Sequence, residues 1–460
     1  MSLKNKIDEI KSYLGRNNIL SEAEECYCYA EDASNLIKPD STPELVVFPE
    51  TAEEVQKIVK YANEHNIPII PRGAGTNMVG SCVCNNGGIV INFANMNKIR
   101  EINTTDMTAT VEPGVILGDL KNEVEKVGLF FPPDPSNYKV STVGGAISQS
   151  SGGAFGLKYG TTKDYVLSLK VVTARGELIT LGAETTKDSA GYHLVQLMVG
   201  SEGTLAVIVE ATLKLIQKPE AVCACSAYFD SIDAGVSAVN EIFQNKLAPA
   251  AIDFMDKNAI CTVEDYAKCG LITTKDCLLL ISVDGYEASI NYQTEKLVNV
   301  LKIAGACEIK VSKNADDVDK IWGARRVSFA ATARLAPDVV TDDIIVPRSS
   351  LVSMVRYCQH VAEKYHLKMC MVGHAGDGNI HPQIALNLES EEEYKNYMDA
   401  KAEMYKAAID FGGTISAEHG VGLEKKSYLG QVLGIETMNY MKMIKKIFDP
   451  NNILNPEKIL

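Results

Sequence analysis

Pro71-Arg72-Gly73-Ala74-Gly75-Thr76-Asn77-Met78-Val79-Gly80 follows an apolar run, Ile67-Pro68-Ile69-Ile70, that reads as a strand. Glycines after a strand let the backbone approach a ligand and aim N–H groups at an anion. Met78 stands where a G-x-G-x-x-G pattern needs its third glycine, and no G-x-x-x-x-G-K-[ST] run is present. Neither a Rossmann dinucleotide fold nor a P-loop NTPase is supported. Alone, the loop fits either a phosphate cradle or a tight turn. Upstream, Leu45-Val46-Val47-Phe48 reads as a short strand. Thr51-Ala52-Glu53-Glu54 is a capping box that opens a helix with Val55, Ile58, Val59 and Ala62 on one face, and Asn66 ends it. Together these make a β-α-β unit.

Moving outward, 88–93 and 109–114 read as further strands and 117–127 as a helix, followed by a proline-rich turn over 131–135. Glycine-dense stretches recur at 141–153, 156–160 and 200–208. Four such loops point to a long ligand threaded between backbone segments, with hydroxyls and amides facing a diphosphate. From Lys218 the glycine density drops. Strands are expected at 223–229 and 278–283, a strand or turn at 251–256, and helices at 231–243, 288–304 and 392–411. That alternation predicts an antiparallel sheet covered by helices, a cap domain distinct from the glycine-rich part.

Gly373-His374-Ala375-Gly376-Asp377-Gly378-Asn379-Ile380-His381-Pro382 places two histidines in an H-x6-H spacing across a turn-forming core. Lys368–Val372 and Pro382–Leu386 read as the two strands of a hairpin. Downstream, Ser416-Ala417-Glu418-His419-Gly420 sets a carboxylate beside a third histidine, and 424–448 then reads as one helix. His374, His381 and Glu418 with an open position suit Zn2+, Fe2+ or Mn2+. The competing reading has these as loop histidines satisfied by backbone carbonyls. The chain has only seven histidines, and three fall in these two glycine-rich segments, which favours a metal or catalytic site.

The 460 residues suffice for two or three domains. A net charge of −14 and the lack of a basic patch argue against nucleic acid and anionic lipid. No apolar run reaches membrane-span length, and the polar start Met1–Ile10 lacks a signal peptide's apolar core. Twelve cysteines in such a chain read as reduced thiols and place it in the cytoplasm. The C-x-C pairs at 26/28, 82/84 and 223/225 read as strand residues facing one way, and no ferredoxin-type run exists.

Arg72-Gly73-Ala74-Gly75-Thr76, Pro132-Pro133-Asp134-Pro135, Thr142-Val143-Gly144-Gly145 and Gly200-Ser201-Glu202-Gly203-Thr204 resemble the FAD-binding signature of the vanillyl-alcohol-oxidase, or PCMH-type, flavoproteins. The hairpin, Glu418-His419 and Asn455-Pro456-Glu457-Lys458 resemble the D-lactate, glycolate and D-2-hydroxyglutarate dehydrogenase branch. The resemblance implies an α+β fold: a two-part FAD-binding domain, an antiparallel cap with helices on one face, and a C-terminal segment returning to the FAD domain. The expected boundaries are 1–44 (N-terminal helical segment), 45–218 (FAD domain), 219–411 (cap) and 412–460 (return). It implies noncovalent FAD, since Asn77 and no histidine occupies the first loop. The implied contacts are Arg72, Gly73, Ala74, Gly75, Thr76, Asn77, Pro132, Asp134, Ser141, Thr142, Gly144, Gly145, Ser148, Gly152, Glu202, Gly203, Ile208, Asn455 and Lys458.

By the same resemblance Arg325 grips a substrate carboxylate, a task suited to a planar fork. His419 is the general base beside the metal, and Asn379 supports the turn or the substrate. Dicarboxylate users place a second cation where this chain has Thr341, which favours a small monocarboxylate such as D-lactate, oxidised to pyruvate. Electrons would pass to a separate acceptor such as an electron-transferring flavoprotein. The alternatives are a glycolate or D-2-hydroxyglutarate dehydrogenase, or a noncatalytic flavin relay subunit.

Overall fold

The computed structural model describes residues 9–14 and 18–460. Of the polar start read at Met1–Ile10, Met1 to Asp8 lie outside the described residues. The chain divides into two compact units. The first comprises Met1–Ser151, Thr161–Lys218 and Glu418–Leu460; the second comprises Gly152–Gly160 and Pro219–Ala417.

The first unit contains two larger sheets. One has the strand order Ile19–Leu20, Leu45–Val47, Ile89–Asn92, Ile69–Arg72, with the last two pairings parallel. The other is antiparallel, in the order Ile99–Asn103, Thr108–Val111, Val207–Lys214, Val166–Val172, Leu178–Gly182. The helix Ala52–His65 opens on the expected capping box, with Glu54 N–H donating to Thr51 Oγ1 at 3.2 Å, and closes on Asn66 at φ 52°. Its Val55, Ile58 and Val59 are fully buried with Leu45, Ile69, Ile89 and Ile91, each such side chain contributing roughly 1.5–3 kcal/mol. Ile453 and Leu454 join this core from the C-terminal return, and Ile69 N–H donates to Ile453 O at 2.7 Å.

Two local expectations are corrected. The glycine-dense stretch at 141–153 is not all loop, because Val143–Gln149 is a helix whose Thr142 Oγ1 accepts from Gly145 N–H at 3.1 Å. The capping hydroxyl and the close seat of Gly144 on Pro113, where an added Cβ would lie 2.6 Å from a ring carbon, outweigh poor glycine propensity. The single helix expected over 424–448 is two, Lys426–Leu433 and Ile435–Phe448, broken at Gly434 with φ 78°.

The second unit is built on an eight-stranded sheet whose pairings are all antiparallel. Its interior strand Cys277–Gly285 is buried at every position but the last. Alternate residues face opposite ways. Leu278 and Leu280 pack with Ala259, Ile260 and Val263 of the helix Lys257–Ala267. Cys277 instead lies against Gly235 of the helix Ile232–Gln244. The antiparallel cap stands as expected, but helices cover both faces rather than one, consistent with the strand's unbroken apolar run. Of the C-x-C pairs, only Cys223/Cys225 lies on a strand, Ala221–Phe229.

Candidate active site

In the first unit the loop after Ile69–Arg72, the helix Val143–Gln149 and the 200–208 turn wall a groove of about 1170 Å3, open solvent included. Arg72, Gly73, Ala74, Gly75, Thr76, Asn77, Ser141, Thr142, Gly144, Gly145, Ser148, Glu202, Gly203 and Ile208 all line it, and so do Glu418 and His419. Much of this wall is backbone and small side chains. An added Cβ on Gly73 would lie 2.2 Å from Thr142 Oγ1, so the loop and the helix cap touch at van der Waals limits. The buried Ser141 Oγ and Gln149 Oε1 have no hydrogen-bond partner among the described residues. Unsatisfied polar atoms in a groove of this kind fit a polar cofactor. Gln149 escaped the sequence reading, since nothing local distinguishes it from a helix-end residue.

Arg72 also bonds away from the groove, and five predicted contacts, Pro132, Asp134, Gly152, Asn455 and Lys458, are not among its lining residues. The Arg72 guanidinium turns inward, donating to Glu31 O at 2.6 Å. Asp134 pairs with Lys121 at 2.6 Å, and neither Pro132 nor Asp134 is among the lining residues. Gly152 falls in the second unit. Asn455 donates to Ser81 O (2.7 Å) and Glu202 O (2.6 Å), and Lys458 is buried, which pulls its ammonium pKa down.

Glu202 and Asn77 strap the Glu418-His419 segment. Val421 and Gly422 N–H groups donate to the Glu202 carboxylate at 2.7 and 2.9 Å, and Ser81 Oγ donates to it as well. Burial pushes the Glu202 carboxyl up, and these donors act against that shift. Asn77 Nδ2 donates to His419 O at 3.1 Å while its Oδ1 accepts from Val79 and Ser81. Two residues expected at the cofactor therefore also shape the loop carrying the expected base.

In the second unit the strands Lys368–His374 and Asn379–Leu386 extend into the histidine motif, so the turn is only 375–378. Both histidines are strand residues, 8% and 4% exposed, with rings nearly perpendicular at 5.2 Å between centroids. This excludes the reading of loose loop histidines. Each is backed by a buried aspartate that the sequence reading missed. His374 Nδ1 lies 2.7 Å from Asp253 Oδ1, and His381 Nδ1 lies 3.8 Å from Asp343 Oδ1. Asn379 Nδ2 donates to Asp343 Oδ1 (2.8 Å) and Ile344 O (2.9 Å), so Asn379 braces the shell. Asp343 Oδ2 accepts from Ser416 Oγ (3.1 Å) and Ala417 N–H (2.8 Å). Asp342, one residue earlier, accepts from Tyr405 OH at 2.6 Å and Tyr397 OH at 3.2 Å.

Arg325, at the end of the helix Ala315–Arg326, places Nε 2.8 Å from Asp253 Oδ2, an ion pair whose N–H is not aligned as a hydrogen bond. Nη1 reaches Ser328 Oγ at 3.3 Å. Burial pushes the Asp253 carboxyl up, but the charges of His374 and Arg325 outweigh it and hold the group below the usual range. Arg326 instead pairs with Asp319 at the surface. Gln383, two residues past His381, accepts from Thr332 Oγ1 at 3.0 Å.

A glycine-walled groove on one unit and a sheet-borne pair of carboxylate-backed imidazoles on the other mark a flavin-dependent oxidoreductase of the two-domain PCMH type. The FAD binding domain family matches residues 43–182, and the C-terminal domain of FAD linked oxidases matches residues 218–459. The chain is 43% identical to the glycolate oxidase subunit GlcD of Bacillus subtilis, covering 91% of this chain and 89% of the relative. It is 37% identical to a D-lactate dehydrogenase of Anaerostipes hadrus over the same shares. Its fold superposes on p-cresol methylhydroxylase with a TM-score of 0.84 at 17% identity, covering 99% of this chain and 96% of that one. The chain belongs to the FAD-linked oxidase family, in the group of FAD-dependent 2-hydroxy acid dehydrogenases.

Proposed function

We propose that the chain oxidises a small D-2-hydroxy acid, D-lactate to pyruvate, with noncovalent FAD and a divalent ion held by His374, His381 and Glu418. The observation that carries the metal reading is the pair of buried, perpendicular imidazoles, each with a carboxylate behind it. The 2.7 Å contact of Asp253 with His374 would fix that ring's orientation and raise its basicity as a ligand, while Asp343 stands 3.8 Å from His381 Nδ1. Ala417, bonded to Asp343, directly precedes Glu418 in the chain. Bound FAD would accept a hydride, and a bound divalent ion would lower the pKa of the substrate hydroxyl. Arg325 grips the carboxylate, and among the described residues its Nη2 makes no hydrogen bond. His419 takes the hydroxyl proton as general base, Ser141 and Gln149 offer polar atoms to the cofactor, and the α-hydrogen leaves as hydride.

Thr341 supports a monocarboxylate, since it offers a neutral hydroxyl where a second substrate carboxylate would need a cation. Its strand partner is Gln383. The 43% identity to a glycolate oxidase subunit favours glycolate as the second reading. We assign electron acceptance to a separate electron-transferring flavoprotein, because no cluster-type cysteine run is present in this sequence. Twelve free cysteines support a reducing cytoplasm. No helix among the described residues is long and apolar enough to cross a membrane. Anaerobic titration of the flavin with D-lactate, L-lactate, glycolate and D-2-hydroxyglutarate tests the substrate. D-Lactate should bleach it at the lowest concentration, and preferential bleaching by D-2-hydroxyglutarate would overturn the monocarboxylate reading.

A further inference from the structure

We propose that Asp253 is a positioning residue that ties metal ligation to substrate capture, through one carboxylate oxygen for each. The inference rests on the assignment of His374 to the ion and Arg325 to the substrate carboxylate.

Asp253 sits on the strand Ala251–Asp256, directly opposite His374 in the antiparallel register. Residues paired in this way project on the same face with Cβ atoms roughly 5 Å apart. Oδ1 meets His374 Nδ1 at 2.7 Å, while Oδ2 meets Arg325 Nε at 2.8 Å. The aspartate side chain is 2% exposed, so water competes little for either oxygen. A carboxylate on Nδ1 places the proton of a neutral ring there and leaves the Nε2 lone pair for an ion. On the other side, the carboxylate engages the inner nitrogen of the guanidinium. A carboxylate serving only as a structural partner commonly takes two guanidinium N–H groups side by side. Here Nη2 bonds nothing among the described residues and the side chain keeps 14% exposure. That geometry holds the stem and leaves part of the fork for another anion. Because the carboxylate is one rigid group, a shift toward one partner is a shift away from the other.

The test is D253N, nearly the same shape, in the full chain with FAD. Asparagine keeps one acceptor oxygen, turns an NH2 toward the other partner and loses the charge that pairs with Arg325, so one contact breaks. FAD content and folding should be unchanged. Affinity for Zn2+ and Mn2+, read by chelator competition and metal analysis, should fall 10- to 100-fold. KM for D-lactate at saturating metal should rise about tenfold, with a smaller change in kcat. If both quantities stay within threefold, or only one moves, the proposal is overturned. If D253N does not fold, R325K replaces it. Arg325 is not a proposed ligand, yet coupling predicts a several-fold loss of metal affinity, and unchanged affinity overturns it. H374A separates this failure from that of the underlying reading. A wild type without an ion, unaffected by H374A, sinks the metal assignment itself. An ion lost in H374A but kept in D253N and R325K sinks the role of Asp253 alone.

Discussion

The groove of the first unit and the histidine sheet of the second are built by opposite means. The groove is walled largely by backbone and small side chains, with glycines where an added Cβ would strike a neighbour. The histidine sheet is built from ionisable side chains, with an aspartate oxygen of the same unit 2.7 Å from one imidazole and 3.8 Å from the other. A backbone site fails when atoms are added, whereas a side-chain site fails when charge is removed. The comparison is therefore open to attack from both sides.

The largest effect is expected where charge and chemistry meet. H419A should slow reduction of bound flavin by substrate about 10²- to 10⁴-fold while leaving FAD content intact. Stopped-flow absorbance checks this, and a near-normal rate removes His419 as the base.

Next comes a pH effect confined to the second unit. Burial pushes the Asp256 carboxyl up to about 7, although it accepts from the N–H groups of Ala259 and Met371. A carboxyl raised in the fold binds its proton more tightly there than in the unfolded chain. Its contribution to stability therefore falls as pH rises from the ordinary carboxylate range toward about 7, and is flat beyond. The slope is on the order of 1 kcal/mol per pH unit. D256N keeps the acceptor oxygen and should abolish that slope, as urea midpoints across pH 4.5–8 would show.

On the groove side, G144A drives a Cβ to 2.6 Å from the Pro113 ring and 3.0 Å from its carbonyl oxygen. It should cost about 1–3 kcal/mol and loosen FAD, with the metal affinity of the histidine site untouched. Flavin fluorescence and urea unfolding read both quantities. The smallest effect is predicted for E202Q. The amide cannot accept from all three donors, the Val421 and Gly422 N–H groups and the Ser81 hydroxyl. About a tenfold loss in kcat with FAD retained is expected, and FAD loss instead would make Glu202 a cofactor contact.

The same contrast explains what could be read from the chain. Thr51 to Glu54 announced a helix start because capping is local, and the glycine loops announced a groove because close backbone approach needs glycine. The H-x6-H spacing revealed the paired imidazoles for the same reason. Asp253 was not legible, since it lies 121 positions from His374 and meets it only through sheet register. Asp343, 38 positions from His381, was hidden similarly. Arg72 lines the groove, and the bond from its guanidinium to Glu31 O was not legible because that contact needs the tertiary fold. The cap's helices were placed on one face because alternation of strands and helices does not say which side each helix takes.

The most direct test is anaerobic reduction of the flavin by D-lactate before chelation, after it, and after restoring Zn2+ or Mn2+. Rapid bleaching should be lost on chelation, with FAD still bound, and return with metal. Bleaching at an unchanged rate in the metal-free protein would contradict the account.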